Sequence, residues 1–244
     1  MTISVIIPVL HEQERINEVV AQLMGSGAKI QGPGSRGQGP VKLKSCASTL
    51  DPEIIIVDGD PTGSTFSTIT DNSIIRLIAP AGRGSQLAAG AAVATGEILL
   101  LLHADTQLPE TAFSSIRQAV ANGADWGAFR LGIDASPLPY RIIELAVDLR
   151  CRLFKLPYGD QAMFVTRAAL SAVGGIPHIP LMEDVALARM LAKTGQPFTL
   201  LPERVCTSAR RWQQDGIVRR TCKNWWLLLR YLTGVKPEKL AKDY

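Results

Sequence analysis

The stretch Ile98-Leu99-Leu100-Leu101-Leu102-His103-Ala104-Asp105 decides how this chain is read. Five aliphatic residues run without a polar break, the pattern of a strand buried on both faces, as at the centre of a parallel sheet. His103 and Asp105 follow, one residue apart. On an extended chain, residues two apart point to the same side. The strand therefore ends by presenting an imidazole beside a carboxylate. In open α/β sheets ligands bind in the crevice beyond the carboxyl ends of the strands, so a metal-capable pair stands where a site is expected. For His-x-Asp taken alone, a solvated strand end is the plain alternative.

Working outward, Ser4–Val9 reads as a first buried strand that ends near Pro8, which has no N–H to give a ladder. Glu12–Met24 carries Ile16, Val19, Val20 and Leu23 at helical spacing. Residues 25–50, rich in Gly and Lys and poor in large apolar side chains, read as a flexible surface insertion. Glu53–Asp58 is a second buried strand, again ending in a carboxylate, with the turn-rich Gly59–Thr65 behind it. Ser73–Ala79 is a third strand, Ala81–Gly84 a flexible turn carrying Arg83, and Ala-rich Ser85–Ala94 a helix that packs closely on a sheet. This alternation predicts an α/β fold, a mostly parallel central sheet flanked by helices.

The second half is less regular. Glu110–Asn122 reads as a helix, Trp126–Ile133 alternates like a half-exposed strand, and Tyr140–Leu153 is amphipathic, with Ile142, Ile143, Leu145, Ala146, Leu149 and Leu153 apolar. Gly159-Asp160-Gln161 precedes a strand at Ala162–Thr166, and Leu181-Met182-Glu183-Asp184 opens a helix over Val185–Lys193. Arg210-Arg211-Trp212 follows a short strand, and Ile217–Leu232 is a helix holding Trp225 and Trp226 among basic residues.

The 244 residues are 46% hydrophobic and 20% charged, ordinary for a globular chain of one α/β domain. The net charge of +4 is unevenly placed, with ten Lys/Arg against three Asp/Glu from Arg204 onward. A basic tail favours an anionic partner: a phosphorylated substrate, a membrane surface or nucleic acid. A solvated basic helix face is the bland reading. Cys46, Cys151, Cys206 and Cys222 are far apart, form no Cys-x-x-Cys, and fit a reducing cytoplasm. Nothing reads as a signal peptide or a membrane span.

Ser4-Val5-Ile6-Ile7-Pro8, Glu53–Asp58, Ile98–Asp105, Glu183-Asp184 and Arg211-Trp212, in this order, resemble the family 2 glycosyltransferases with a GT-A fold. Leu102-His103-Ala104-Asp105, Gly159-Asp160-Gln161, Pro180–Asp184 and Arg210-Arg211-Trp212 look like a bacterial subgroup labelled arsenosugar-biosynthesis or selenium-associated transferases. The resemblance implies a metal-dependent, inverting transfer of a sugar from a nucleotide-diphospho-sugar, with a UDP-sugar favoured, to an unknown small-molecule acceptor. It implies that Pro8, Glu12, Asp58 and Arg83 serve the nucleotide, and that Asp105, with His103 beside it, binds Mn²⁺ or Mg²⁺ at the donor's diphosphate. It further implies that Asp184 is the general base, with Arg211 and Trp212 beside diphosphate and acceptor. No nucleic-acid partner is expected.

His103 stands where many relatives carry a first Asp, His11 where an Asn is frequent, and Asp60-Pro61-Thr62-Gly63 where Gly-Ser-Thr-Asp is usual. Two alternatives stay open. A sugar nucleotidyltransferase would want a Gly-rich phosphate loop, absent from Pro8–Arg15. A non-catalytic nucleotide-sugar-binding protein on a decayed scaffold fits the altered loop but not the retained Asp58, Asp105, Asp184 and Arg211. The expected organisation is one catalytic domain over 1–212 and a basic helical extension over 213–244 packed on it. At least one of Trp225 and Trp226 is expected to be buried against that domain, with at most weak, salt-sensitive membrane contact.

Overall fold

Strands β1 (Ile3–Val9), β2 (Glu53–Asp58), β3 (Ile75–Ile78) and β4 (Ile98–Leu101) pair in parallel, in the order β3-β2-β1-β4. This computed structural model describes residues 1–25 and 52–243, except for the side chain of Arg211. The insertion expected at 25–50 therefore lies, save Gly25, outside the described residues. Strands β5 (Thr106–Gln107), β6 (Trp126–Asp134), β7 (Met163–Thr166) and β8 (Phe198–Ser208) extend the same sheet as β7-β6-β8-β5 beyond β4. In that half only the β6–β8 pair is parallel; β4–β7, β6–β7 and β5–β8 are antiparallel. The helices are α1 (Ile16–Leu23), α2 (Arg83–Val93), α3 (Ala112–Ala121), α4 (Leu138–Phe154), α5 (Arg167–Ala172), α6 (Glu183–Lys193), α7 (Arg210–Asp215), α8 (Ile217–Leu232) and α9 (Pro237–Asp243).

The unbroken aliphatic runs are explained by helices on both faces. Val5, Ile7, Ile54, Ile56 and Leu100 pack with α1 and α3, while their neighbours Ile6, Ile55, Val57, Leu99 and Leu101 pack with α2 and α6. A period of two then demands apolar side chains at every position. Helix α2 lies close on the sheet, as its small residues predict: a Cβ on Gly90 would stand 2.4 Å from Ile6 Cγ2. The buried Gln86 carboxamide donates to the carbonyls of Val9 (2.7 Å) and Val57 (2.8 Å), clamping the ends of β1 and β2 side by side.

Several sequence readings need correction. Arg83 is the first residue of α2 rather than part of a flexible turn, because Gly82, at φ +128°, makes the turn alone. Helix α1 begins only at Ile16; Glu12–Arg15 is a turn without a side-chain cap. Strand β8 is eleven residues long, not short, and β6 is buried on both faces rather than half-exposed.

The physical reason for the buried β6 is α4, whose packing inverts its hydrophobic pattern. Its buried positions are Tyr140, Glu144, Asp148, Arg150 and Cys151, while Ile142, Leu145, Leu149 and Leu153 are exposed. The inward acids meet bases on the sheet and on α4 itself. Asp148 pairs with Arg130, and Glu144 with Arg141 (2.8 Å) and Arg204 (3.3 Å) while accepting the Ile133 N–H at 2.8 Å. Trp225 and Trp226 are 51% and 59% exposed, so neither is buried as expected; the sheet-facing side of α8 is taken by Arg220, Leu227 and Leu228.

Removing one member of a buried ion pair strands the other. Asp148→Ala should therefore lower unfolding stability by about 2–4 kcal/mol, read from urea unfolding, whereas the exposed Leu149→Ala should change it by well under 1 kcal/mol.

Candidate active site

Three segments that are distant in sequence meet beyond the carboxyl end of β4. The first is His103–Asp105. The Leu102 N–H still bonds Ile6 O at 3.0 Å, and the Thr106 N–H then turns back to His103 O at 3.1 Å, leaving His103 and Asp105 at the lip. The second is the start of α6, where Met182 adopts φ +66° and delivers Glu183 and Asp184. The third is the 3₁₀ turn Gly159–Gln161, which ends in Ala162 at φ +46°. Positive φ at a residue with a side chain is held only by its surroundings. Here two such residues flank the same site.

Gly159 joins the three. Its N–H donates to Asp184 Oδ2 at 2.7 Å, and the Val185 N–H donates to Asp184 Oδ1 at 2.7 Å, so both carboxylate oxygens are oriented by backbone. A Cβ on Gly159 would stand 2.5 Å from His103 Nε2 and 3.5 Å from Asp184 Oδ2. Glycine is needed at this position because the backbone itself touches the imidazole. The turn is tied down by the buried Gln161. Its amide donates to Phe129 O (3.0 Å), and its oxygen accepts from Arg150 (3.0 Å) and the Tyr158 N–H (3.2 Å). Arg150 also lies 3.5 Å over the Tyr158 ring.

The site is crowded with acid. Burial pushes the Asp160 carboxyl up to about 6; Arg150 and Arg83 pull it down, Asp184 and Asp105 push it further up. Asp160 keeps a little exposed surface, but its Oδ1 is buried without a hydrogen-bond partner. Glu183 is also pushed up, by burial first and then by the adjacent Asp184, against the pull of Arg83. Burial likewise takes the Tyr158 hydroxyl up to about 12.

Of the residues expected from sequence, Arg83, His103, Asp105, Asp184 and Trp212 line one cavity of about 130 Å³. Trp212 meets Tyr140 edge-on with centroids 6.4 Å apart. Pro8, Glu12 and Asp58 are not in its wall. Asp58 is fully buried, and its carboxylate accepts the N–H groups of Asp60 (2.9 Å) and Thr65 (3.0 Å). Its place in this structure is to hold the 59–65 loop. Asp60, held down to about 2 chiefly by Ser64 and then Thr62, completes that loop. Arg211 belongs to α7, and its side chain lies outside what is described. The sequence reading passed over three wall residues, Asp160, Glu183 and Arg220, as site members. The signal for Asp160 was present, an acid directly after Gly159 and before an apolar strand. Nothing in the pattern of α8 marks Arg220.

The wall suits a hard divalent cation in part. Among the described residues, no three His, Cys, Asp or Glu side chains form a ligand set. A cation on Asp105 would need oxygens from a ligand and water, the usual habit of Mg²⁺ and Mn²⁺. The unpartnered Asp160 oxygen and the repulsion of Asp160 by Asp184 and Asp105 are what positive charge would relieve.

The sequence model of glycosyl transferase family 2 matches residues 4–141. Among solved structures, the chain is similar to a mannosyltransferase, PcManGT from Pyrobaculum calidifontis in complex with GDP-Man and Mn²⁺. The identity is 16% and the TM-score 0.60, over 84% of this chain and 56% of that one. It is also similar to S. aureus TarS 1–349 in complex with UDP-GlcNAc, at 14% identity and TM-score 0.58, over 85% of this chain and 58% of that one. The fold is thus the expected GT-A type, and the chain spans little more than half the length of these structures. No curated protein matches the sequence.

A carboxyl whose pKa is higher in the folded than in the unfolded chain favours folding while protonated and opposes it once ionised. The Asp160 contribution is therefore fully present below its unfolded value of 3.8 and lost as pH rises through about 6. With chelator present, Asp160→Asn should be more stable than the parent by about 1–3 kcal/mol at pH 8 and equal to it near pH 4, measured by thermal unfolding across that range.

Proposed function

This chain belongs to glycosyl transferase family 2, and we propose that it moves a sugar from a nucleotide-diphospho-sugar to a hydroxyl acceptor in a single inverting displacement. The observation that supports this is the meeting of Asp105, from the end of β4, and Asp184, from the start of α6, on one cavity flanked by Arg83 and Trp212. Asp184 takes the acceptor proton as the acceptor oxygen attacks the anomeric carbon. The bond to the diphosphate breaks on the opposite face, and the pair leaves with the nucleotide. Two backbone N–H groups fix the Asp184 carboxylate for that approach, and Trp212 offers a stacking face for the acceptor.

Asp105, with His103 beside it, would hold Mn²⁺ or Mg²⁺. A bound divalent ion supplies Lewis-acid stabilisation of the leaving diphosphate. Arg83, from the first turn of α2, and Arg211 supply further positive charge to phosphate. A UDP-sugar is the favoured donor; the two related structures carry GDP-Man and UDP-GlcNAc respectively. Pro8, Glu12 and Asp58 shape the nucleotide side, Asp58 through the loop it holds. We assign 1–212 to the catalytic unit and 213–244 to an extension, with a boundary inside α7. The cavity wall contributed by Arg220, Asn224 and Leu227 agrees with α8 closing the acceptor side. The bacterial arsenosugar- or selenium-associated subgroup remains our assignment from its motifs. A cytoplasmic location fits the free Cys151, Cys206 and Cys222 and the finding that no helix of the described residues is long and apolar enough to cross a membrane.

Two substitutions separate the roles. Asp184→Asn should leave donor binding nearly unchanged while transfer falls by roughly 10²-fold or more, the scale of a positioned base. Wild-type turnover would reduce Asp184 to a helix cap. Asp105→Asn should abolish Mn²⁺-dependent donor binding in calorimetry with the fold intact; unchanged metal dependence would remove it from the ligand set.

A further inference from the structure

Two helices of this chain leave apolar stripes in solvent. On α4, Leu138, Ile142, Leu145, Leu149 and Leu153 recur at spacings of three and four, and each is more than half exposed. On α8, Val218, Trp225 and Leu229 form a second stripe at helical spacing, with Trp226 beside it; all four are at least half exposed. The two helices approach each other where α8 begins. Ile143 and Val147 from the inner side of α4 share a cluster with Trp212 and Ile217, where α7 passes into α8. Both stripes lie opposite faces fixed by other bonds. Helix α4 is anchored by the Glu144 and Asp148 ion pairs, and Arg220, Asn224 and Leu227 of α8 face the cavity. Neither stripe is a displaced core face.

The two helices expose cations and no acid, although Asp134 lies just before α4, Asp215 just before α8, and Asp243 of α9 pairs with Arg230. The only acids of α4, Glu144 and Asp148, are turned inward, and α8 contains no Asp or Glu. Arg152 and Lys155 at the end of α4, and Arg210 and Arg219 near the start of α8, are exposed. We propose that this face docks on an anionic phospholipid bilayer, with the two helices lying in the head-group plane. Three features converge. An apolar stripe edged by cations is the make-up of interfacial helices. Paired tryptophans sit well at head-group depth, where one end of the ring is apolar and the other wet. A second copy of the chain suits the surface less, because a two-fold interface sets the same patch against itself. It would set a surface carrying Arg152, Lys155 and Arg219 against another of the same charge with no acid on either helix to pair them, whereas lipid phosphates neutralise all of them.

Flotation with vesicles of equal parts phosphatidylglycerol and phosphatidylcholine, at physiological salt, tests this on the full chain. It needs neither donor nor acceptor, so its outcome is independent of the transferase reading. The protein should float with these vesicles and stay behind with pure phosphatidylcholine. Leu145→Ser/Leu149→Ser and Trp225→Ser/Trp226→Ser should each weaken vesicle affinity roughly tenfold or more, with unchanged circular dichroism. Arg152→Glu/Arg219→Glu should lose the preference for the anionic lipid. Absence of flotation overturns the proposal. So does a dimer in light scattering that the leucine or tryptophan substitutions break while vesicles bind nothing.

Discussion

The site depends on one short contact, the Gly159 backbone wedged between His103 and Asp184. The N–H holds an Asp184 oxygen at 2.7 Å, and the missing side chain leaves room for the imidazole. Through that contact the end of β4, the 3₁₀ turn before β7 and the start of α6 take up fixed distances from one another. The three segments are otherwise attached to different parts of the sheet, and two of them contain a residue at positive φ, Ala162 and Met182. Such conformations persist when many surrounding bonds agree on them. Gln161, bonded to Phe129, Tyr158 and Arg150 at once, is the main source of that agreement.

A second polar layer, under α4, supports the first. Glu144 and Asp148 bind arginines of β6 and β8, while Arg150, two residues on, reaches Gln161 and stacks on Tyr158. The helix is therefore attached to the sheet by ion pairs at its middle and to the site by Arg150 near its end. Burying charge in pairs gives little net stability compared with apolar packing, but it fixes register tightly, since any slip leaves an acid without its partner. That arrangement also leaves the apolar residues of α4 on the outside.

Sequence alone carried the parallel half of the fold well. Its strands are buried on both faces, so continuous aliphatic runs identify them with little ambiguity, and Asp105 and Asp184 stand at ends that such runs and helix starts define. It carried the second half poorly for specific reasons. A period of 3.6 locates a helix but does not say which face turns inward, and on α4 the inward face is the charged one. Asp58 ends a strand at the site edge and the resemblance gave it to the nucleotide; the structure adds that its carboxylate accepts the Asp60 and Thr65 amides, which positions the loop behind it. Asp160 had a sequence signal, but its raised proton affinity comes from burial, with Asp184 and Asp105 adding to it, and that burial is a property of the fold.

The crowding of acid gives the site a preference for ligands that bring positive charge. Burial raises the proton affinity of Asp160 and Glu183, Asp184 raises both further and Asp105 adds to Asp160, while Arg83 and, for Asp160, Arg150 offset only part of that. A ligand that brings positive charge lowers the energy of the whole cluster. A diphosphate arriving without a cation would instead add charge of the same sign to these carboxylates. On the proposed reading, the wall would favour a nucleotide that comes with its ion over a bare one, through summed charge rather than any single bond.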